Sequence, residues 1–498
     1  MVSLPSNLWA LGSRSDGTGE VMRVLFVEDD ENFIAGALPL IKDALGTAEV
    51  IVCRSKNSAI GHLESELFDF LLLDLKIPVD DGGLDVAVAH GNAVFHAARA
   101  KAPGAPILFL TGSSADEVVE DLVKHAEQVD IWGSGTKLST IQVLRKSNLD
   151  KAIDVLKAIG RQISALEQIE LRLPGGLLLS KEYRRILKIF TRLRSGAACS
   201  VAPLSGGLSD SQVVRVSVSD LMGVEQICAA GKLGTLADVD DEVQRFGKDV
   251  NRLAPGAFPQ LIEVVRRGAG AKAGAFYRLA EAYDDTLFVR LAGGGNIGSL
   301  VTAVSTLTTP WSASLPESSR TVREVRRRLL TDAHATDIAR KFDLAWSTEF
   351  EQRTLQVRWG CVHGDCHCGN ILISRQGSHP ILIDFGDVGP GPASLDAITL
   401  ELSALFHPSF RHVFGDWPDR DRAVHWSNVD KYAGGTPAEP FVRACRTWAT
   451  RVAAGNREIL ATAYAYVLRQ LKYPGTRVEL ALTLLETLRS ELEASYAE

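Results

Sequence analysis

Two short stretches hold the densest chemistry in the chain, CVHGDCHCGNILI at 361–373 and PILIDFGDVG at 380–389. Asp365 and Asn370 stand five residues apart on a predicted loop, and Asp384 follows the apolar run Ile381–Ile383. Phosphoryl transfer needs a carboxylate to orient an acceptor hydroxyl, and carboxylate or amide oxygens to hold Mg²⁺ on nucleotide phosphates. An Asp and an Asn on one loop, with a second Asp on the neighbouring hairpin arm, supply both. Cys361, His363, Cys366, His367 and Cys368 invite a zinc reading of the same segment. They are packed too closely for ordinary structural-site spacing, and no second Cys/His cluster completes the set.

The two stretches resemble the catalytic and metal-binding loops of the aminoglycoside/choline phosphotransferase branch of the protein-kinase-like superfamily, where a His-Gly-Asp opens the catalytic loop, as at 363–365 here. The resemblance implies that Asp365 is the catalytic base, Asn370 a Mg²⁺ ligand and Asp384 the principal Mg²⁺ ligand. Asp387 sits where relatives often keep an acid, and Asp396 and Glu401 would orient the loops by hydrogen bonds. Upstream, PLSGGLSDSQVVRV places Gly206 and Gly207 in a turn whose backbone N–H groups could approach phosphate oxygens. Lys232 in QICAAGKLG and Glu242 ten residues later are the expected phosphate-clamping lysine and its helix glutamate, with Asp238 and Asp241 as competing acids. Adenine would meet backbone near Ala280–Asp284.

A second acidic set lies near the N-terminus: Glu28 and Asp29 after one predicted strand, Asp74 after another. Carboxylates gathered at a sheet edge repel one another and call for a hard cation such as Mg²⁺. With the metal present, one of them can attack a phosphoryl group and hold it as an acyl phosphate. LFVEDDENF, FDFLLLDLKIP and ILFLTGSS, in this order, resemble the receiver domain of bacterial response regulators. That resemblance implies Asp74 as phosphoacceptor, Glu28 and Asp29 as Mg²⁺ holders, and Thr111 as the switch hydroxyl. Lys146, in IQVLRKSNLDKAIDVL, is the preferred receiver lysine over Lys137 in GTKLS, which makes residues 130–140 an insertion. The next residue is Ser147 or Leu138, where the family has a proline.

The elements that must position these groups follow from hydrophobic periodicity. Val24–Val27, Val50–Val52, Phe70–Leu73, Ile107–Leu110 and Ile141–Leu144 are short aliphatic runs bounded by polar residues, typical of buried parallel strands. Helical patterns such as Asn57–Leu67 and Asp116–Glu127 lie between them, and Leu149–Leu171 reads as the closing helix. Strands alternating with helices imply a five-stranded parallel, doubly wound sheet with its chemistry at the strands' carboxyl ends. Pro174-Gly175-Gly176 marks a break. A helix at Lys181–Arg194 leads to a mixed β lobe with strands near Ser200–Leu204, Gln212–Val218, Gln226–Ala230, Pro259–Arg266 and Ala275–Glu281 and a helix near Asp240–Leu253. A mostly helical lobe follows. The expected fold class is therefore α/β and α+β multidomain. It consists of a flexible segment 1–20, a receiver-like domain 21–172, a linker and helix 173–195, a kinase-like N-lobe 196–283 and a helical C-lobe 284–498.

A length of 498 residues, with 46% hydrophobic and 23% charged, fits a multidomain globular chain. The net charge of −7 gives no reason to expect nucleic acid, and the basic run Arg320–Arg328 reads as a solvated helix face. Seven cysteines are an odd number and form no disulfide framework. No apolar run approaches the ~18 residues of a membrane span, and the first twenty lack a signal-peptide pattern, so a cytoplasmic setting is expected. The sequence thus predicts an ATP- and Mg²⁺-dependent kinase acting on an unidentified hydroxyl-bearing acceptor, small molecule or protein. A histidine kinase or other phosphodonor would charge its receiver. The alternative is an ATP-sensing scaffold with an inactive kinase lobe and a docking receiver.

Overall fold

The computed structural model describes residues 14–15, 21–112, 124, 126–204, 212–279, 283–294, 297–374, 379–408 and 413–497. The chain divides into two compact units, residues 1–240 with 260–279, and residues 241–259 with 280–498.

Among its described residues the first unit holds a parallel sheet, a second, mixed sheet and a two-stranded hairpin. The parallel one comprises β1 (Arg23–Val27), β2 (Glu49–Cys53), β3 (Phe70–Leu73), β4 (Ile107–Thr111) and β5 (Ile141–Arg145), in the order β2-β1-β3-β4-β5. Helices α1 (Glu31–Leu45), α2 (Lys56–Ser65), α3 (Val88–Lys101) and α4 (Leu149–Glu167) accompany it. Central strands covered on both faces must be apolar at every position, and β3 and β4 are buried throughout. Asp30 caps α1, its side chain accepting from the backbone N–H of Asn32 and Phe33, which holds the chain just after Glu28 and Asp29 in a fixed turn. The segment before β5 forms a short hairpin, Gln128–Val129 against Leu138–Ser139, so the inserted residues are a structured excursion.

The sequence reading carried the closing helix to Leu171. It ends instead at Glu167, and β6 (Glu170–Leu173) follows, pairing in parallel with β7 (Ala198–Pro203) and antiparallel with the two-residue strand Arg14–Ser15. Part of the segment 1–20, expected to be flexible, is therefore a sheet edge. Beyond β7 the second sheet continues through β8 (Gln212–Ser219) and β9 (Glu225–Thr235) to β11 (Lys272–Arg278) and then β10 (Leu261–Val265). Helix α5 (Lys181–Leu193) packs on α4 and on β6, β7, β10 and β11. One continuous apolar core runs from β1 and α4 through Trp132 and α5 into β7, β8 and β9. A second apolar cluster, with Leu71, Leu73, Phe95 and Phe109, fills the other face of the parallel sheet.

Helix α6 (Leu236–Lys248) begins in the first unit, but residues from Asp241 onward belong to the second. The expected lobe boundary at 283/284 thus moves for this segment. The reason is aromatic packing: Phe246 of α6 lies edge-on to Phe258 and Phe385, with ring centroids 5.4 and 5.8 Å away.

In the second unit, β12 (Tyr283–Thr286), β13 (Glu317–Thr321), β14 (Thr354–Val362), β15 (Ile371–Ser374), β16 (Pro380–Leu382) and β17 (Gly389–Pro392) form two three-stranded sheets, β12-β15-β16 and β13-β14-β17. The apolar helices α7 (Leu395–Phe406) and α8 (Asn456–Gln470) pack together behind them. Among the described residues no helix is long and apolar enough to cross a membrane.

Candidate active sites

At the carboxyl ends of β1 and β3, oxygens of Glu28, Asp29 and Asp74 lie within 4.8 Å of one another. Carboxylate oxygens gathered this closely are the donors a hard cation such as Mg²⁺ takes, so the chemistry of the set fits such an ion. Lys146 follows β5 and reaches both buried acids, its Nζ 2.6 Å from Asp74 Oδ2 and 2.7 Å from Glu28 Oε2. Thr111 ends the adjacent strand β4 and is buried. Burial, reinforced by the charge of Asp74 and opposed by Lys146, pushes the Glu28 carboxyl up to about 7. Burial likewise raises Asp29. It pulls against the charge on Lys146 too, but Asp74 and Glu28 hold that pKa above its ordinary value. Lys137, the competing lysine, is exposed beside the inserted hairpin.

The second constellation is built by one hairpin. Ile371 of β15 pairs with Leu382 of β16, and the Ile383 N–H donates to the Asn370 carbonyl at 3.0 Å. This register brings the residues just before β15 and just after β16, Asn370 and Asp384, to the same end. Asn370 is buried, and its Nδ2 donates to the Asp365 carbonyl at 2.9 Å. That bond leaves the amide oxygen, the atom a hard cation takes, directed elsewhere. Asp384 has a φ of 61°. Aspartate tolerates this left-handed conformation better than most side chains, at a cost that functional sites often carry.

The loop is clamped from behind. The buried carboxylate of Asp396, at the start of α7, accepts from the backbone N–H groups of His363 and Gly364 at 2.8 and 3.0 Å. Burial raises its pKa, and those two bonds lower it. His363 Nε2 donates to the Ile383 carbonyl at 3.0 Å, tying the catalytic loop to the second hairpin arm. Glu401 accepts from the Trp426 indole at 3.1 Å and pairs with Arg446, while its neighbours Leu400 and Ser403 bond the loop at Cys368.

Around the Asp365 carboxylate stand two groups. His367 Nδ1 accepts the Gly369 N–H at 3.0 Å, so its proton sits on Nε2, 3.7 Å from Asp365 Oδ2. Burial lowers the His367 pKa, and burial also pushes His407, whose tilted ring has its centroid 5.1 Å away, down to about 4. Arg469 of α8 places Nη1 3.3 Å from Asp365 Oδ1. The sequence reading missed Arg469: its partner lies 104 residues away, and only its place after a long buried helical run marks it. The cysteines of the loop are small packed side chains. Cys366 and Cys368 are buried with thiol pKa values raised by burial, and no zinc-type cluster forms among the described residues.

Of the nucleotide-side candidates, Lys232 lies on the central strand β9 and Glu242 is buried on α6, one in each compact unit. Gly206, Gly207 and the first residues of the expected adenine connection, 280–282, lie outside the described residues. Asp387 is exposed, and its carbonyl accepts from Arg328.

Residues 232–428 match the model of the phosphotransferase enzyme family, a span that starts at Lys232 and contains Asp365, Asn370 and Asp384. The chain carries a phosphotransferase-family domain there. No curated protein matches the chain. Among the solved structures similar to it are receiver domains. One is a CheY-like response regulator receiver domain from Methanospirillum hungatei, 17% identical, covering 29% of this chain and 99% of its own at a TM-score of 0.21. Another is the receiver domain of a Pseudomonas aeruginosa sensor histidine kinase, described with magnesium coordinated in its active-site cleft. It is 18% identical and covers 28% of this chain and 99% of its own, with a TM-score of 0.20.

Proposed function

We propose that the domain at 232–428 transfers the terminal phosphoryl group of ATP to an acceptor hydroxyl, and that phosphorylation of Asp74 regulates it. The observation that carries this reading is the single hairpin end bearing Asn370 and Asp384 beside a loop that presents Asp365. Asp365 takes the acceptor proton as the acceptor oxygen bonds to the γ-phosphorus. The bond to the β,γ-bridging oxygen breaks, and its electron pair leaves on ADP. Asn370 and Asp384 would hold Mg²⁺, which when bound neutralises phosphate charge. Lys232 would reach the triphosphate and Glu242 would hold that lysine, as in the kinase arrangement.

In the N-terminal pocket Asp74 attacks the phosphoryl group of a phosphodonor, a histidine kinase or acetyl phosphate, whose leaving group keeps the electron pair. The fused receiver favours a signalling role in a two-component pathway, in a cytoplasmic setting.

The experiment is a γ-labelled ATP assay of the full chain alone, then with sugars, choline-like alcohols and proteins. Asp365→Asn should lower turnover by roughly 10²–10⁴-fold, the usual worth of a positioned base, with circular dichroism unchanged. Asp384→Asn should abolish it. Tight nucleotide binding with no labelled product from any acceptor would replace the enzyme with a nucleotide-sensing scaffold, and undiminished turnover in both variants would put the chemistry on residues other than Asp365 and Asp384.

A further inference from the structure

Arg469 stands at the proposed base yet is engaged only in part. It occupies the penultimate position of α8, a helix buried almost along its whole length. At the other end of α8, Glu458 accepts from the backbone N–H groups of Arg358, Ser394 and Ala454. The guanidinium therefore hangs from a rigid support. Its Nη1 donates to Asp365 Oδ1 at 3.3 Å and its Nε to the Tyr473 hydroxyl at 3.2 Å. The remaining N–H groups have no partner among the described residues.

Arg326, a structural arginine of the same unit, shows the contrast. It is 1% exposed and engages Nε, Nη1 and Nη2 together, on Glu351, Asp332 and the Leu330 carbonyl. Arg469 keeps 20% of its side chain accessible. Burial works against its charge, but Asp365, Tyr473 and Tyr466 hold its pKa above the ordinary value, so the cation is permanent. The imidazoles nearby, His367 and His407, are both biased toward the neutral form.

A general base works within about 3.2 Å of the oxygen it serves. With Nη1 3.3 Å from Asp365 Oδ1, that nitrogen is within about 6.5 Å of the attacking acceptor oxygen when Oδ1 is the base, and within about 9 Å when Oδ2 is. The phosphoryl group in transfer occupies the same few ångströms, and its charge is spread over three equatorial oxygens. A planar, always charged donor with unengaged N–H groups suits those oxygens.

We propose that Arg469 is a catalytic residue of this phosphotransfer site: it fixes the Asp365 carboxylate and donates its remaining N–H groups to the phosphoryl oxygens during transfer. This rests on the kinase reading above. Proton, phosphoryl group and electron pair move as described there, and Arg469 gives up no proton.

The test measures binding, so no acceptor need be known. The full chain, R469Q and R469K are titrated by calorimetry with ADP and Mg²⁺, first without and then with aluminium fluoride, which mimics the phosphoryl group in flight. MgADP should bind all three proteins within about twofold. The fluoride complex should bind R469Q at least about 100-fold more weakly than wild type, the scale of removing one transition-state donor. R469K should recover part of the loss. Equal tightening by fluoride in wild type and R469Q would overturn the proposal. So would a parallel loss of MgADP and fluoride-complex affinity with a lowered melting temperature, which is the signature of a structural arginine. A wild type that binds no MgADP removes the kinase reading itself and this proposal with it.

Discussion

The receiver-like pocket concentrates three carboxylates around one ammonium, and its behaviour follows from that imbalance. Glu28 is held near 7 by burial and by Asp74, so below that pH the folded protein keeps a proton where a cation would bind. Metal binding must displace the proton and is therefore pH-dependent. Mg²⁺ affinity of the full chain should fall about tenfold from pH 8 to pH 6, the loss expected for one proton at a group titrating near 7. Calorimetry in buffers of different ionisation enthalpy should show about one proton released at pH 6 and almost none at pH 8. An affinity equal at both pH values would mean that Glu28 is not a ligand. Asp74→Asn tests the chemistry of the same pocket. Acetyl phosphate with Mg²⁺ should label wild type and leave the variant unlabelled, and equal labelling would move the phosphoacceptor elsewhere. Glu28, Asp29 and Asp74 were legible in the sequence because a parallel sheet sends the ends of its strands to one edge. Arg469 was not, because a partner 104 residues away leaves no local pattern.

Elements were legible where periodicity had one meaning. Phe70–Leu73 forms a strand over the same residues the sequence predicts, since four consecutive aliphatic or aromatic residues between polar neighbours can only be buried on both faces. The tail of α4 was not legible. Ile163, Leu166 and Ile169 continue a helical spacing, while Ile169, Leu171 and Leu173 already alternate as a strand, so the helix-to-strand change falls where both patterns agree. What decides it is tertiary: β6 pairs with β7. The contact that joins α5 to the receiver-like sheet is also tertiary. Arg185 of α5, with a side chain 0% exposed, sits 2.6 Å from Asp69, whose other oxygen accepts from the Arg23 backbone at 2.9 Å. Removing one partner of a buried pair strands the other's charge, at about 3–5 kcal/mol. Arg185→Met should lower unfolding stability by that amount in urea. Arg185→Met with Asp69→Asn should recover much of it, because the amide keeps an acceptor for Arg23 and carries no charge. A double variant as unstable as the single one would show that the pair's charge is not what holds α5.

The whole first unit behaves as one body because α5 serves two sheets. Ile186, Leu187, Ile189 and Phe190 are each at most 2% exposed, and they belong to the same apolar cluster as Phe26, Leu156 and Ile163 on one side and Val201, Val216 and Phe276 on the other. The inserted loop reinforces the join. A Cβ on Gly133 would fall 3.0 Å from the Ile189 carbonyl oxygen, and Arg192 donates to the Gln162 carbonyl at 3.0 Å. Each fully buried aliphatic or aromatic side chain stabilises by about 1.5–3 kcal/mol, so a receiver cut at the Pro174 break would expose the faces of α4 and of residues 131–132 that α5 covers. A fragment of residues 21–173 should therefore unfold at clearly lower urea than one of residues 21–195, which keeps α5 over those faces. Such a result would mean that a change in the receiver-like sheet is felt by the second sheet through shared side chains, with no flexible linker between them. Equal urea midpoints would instead make the receiver-like half self-sufficient, leaving phosphorylation of Asp74 without a mechanical route through this core.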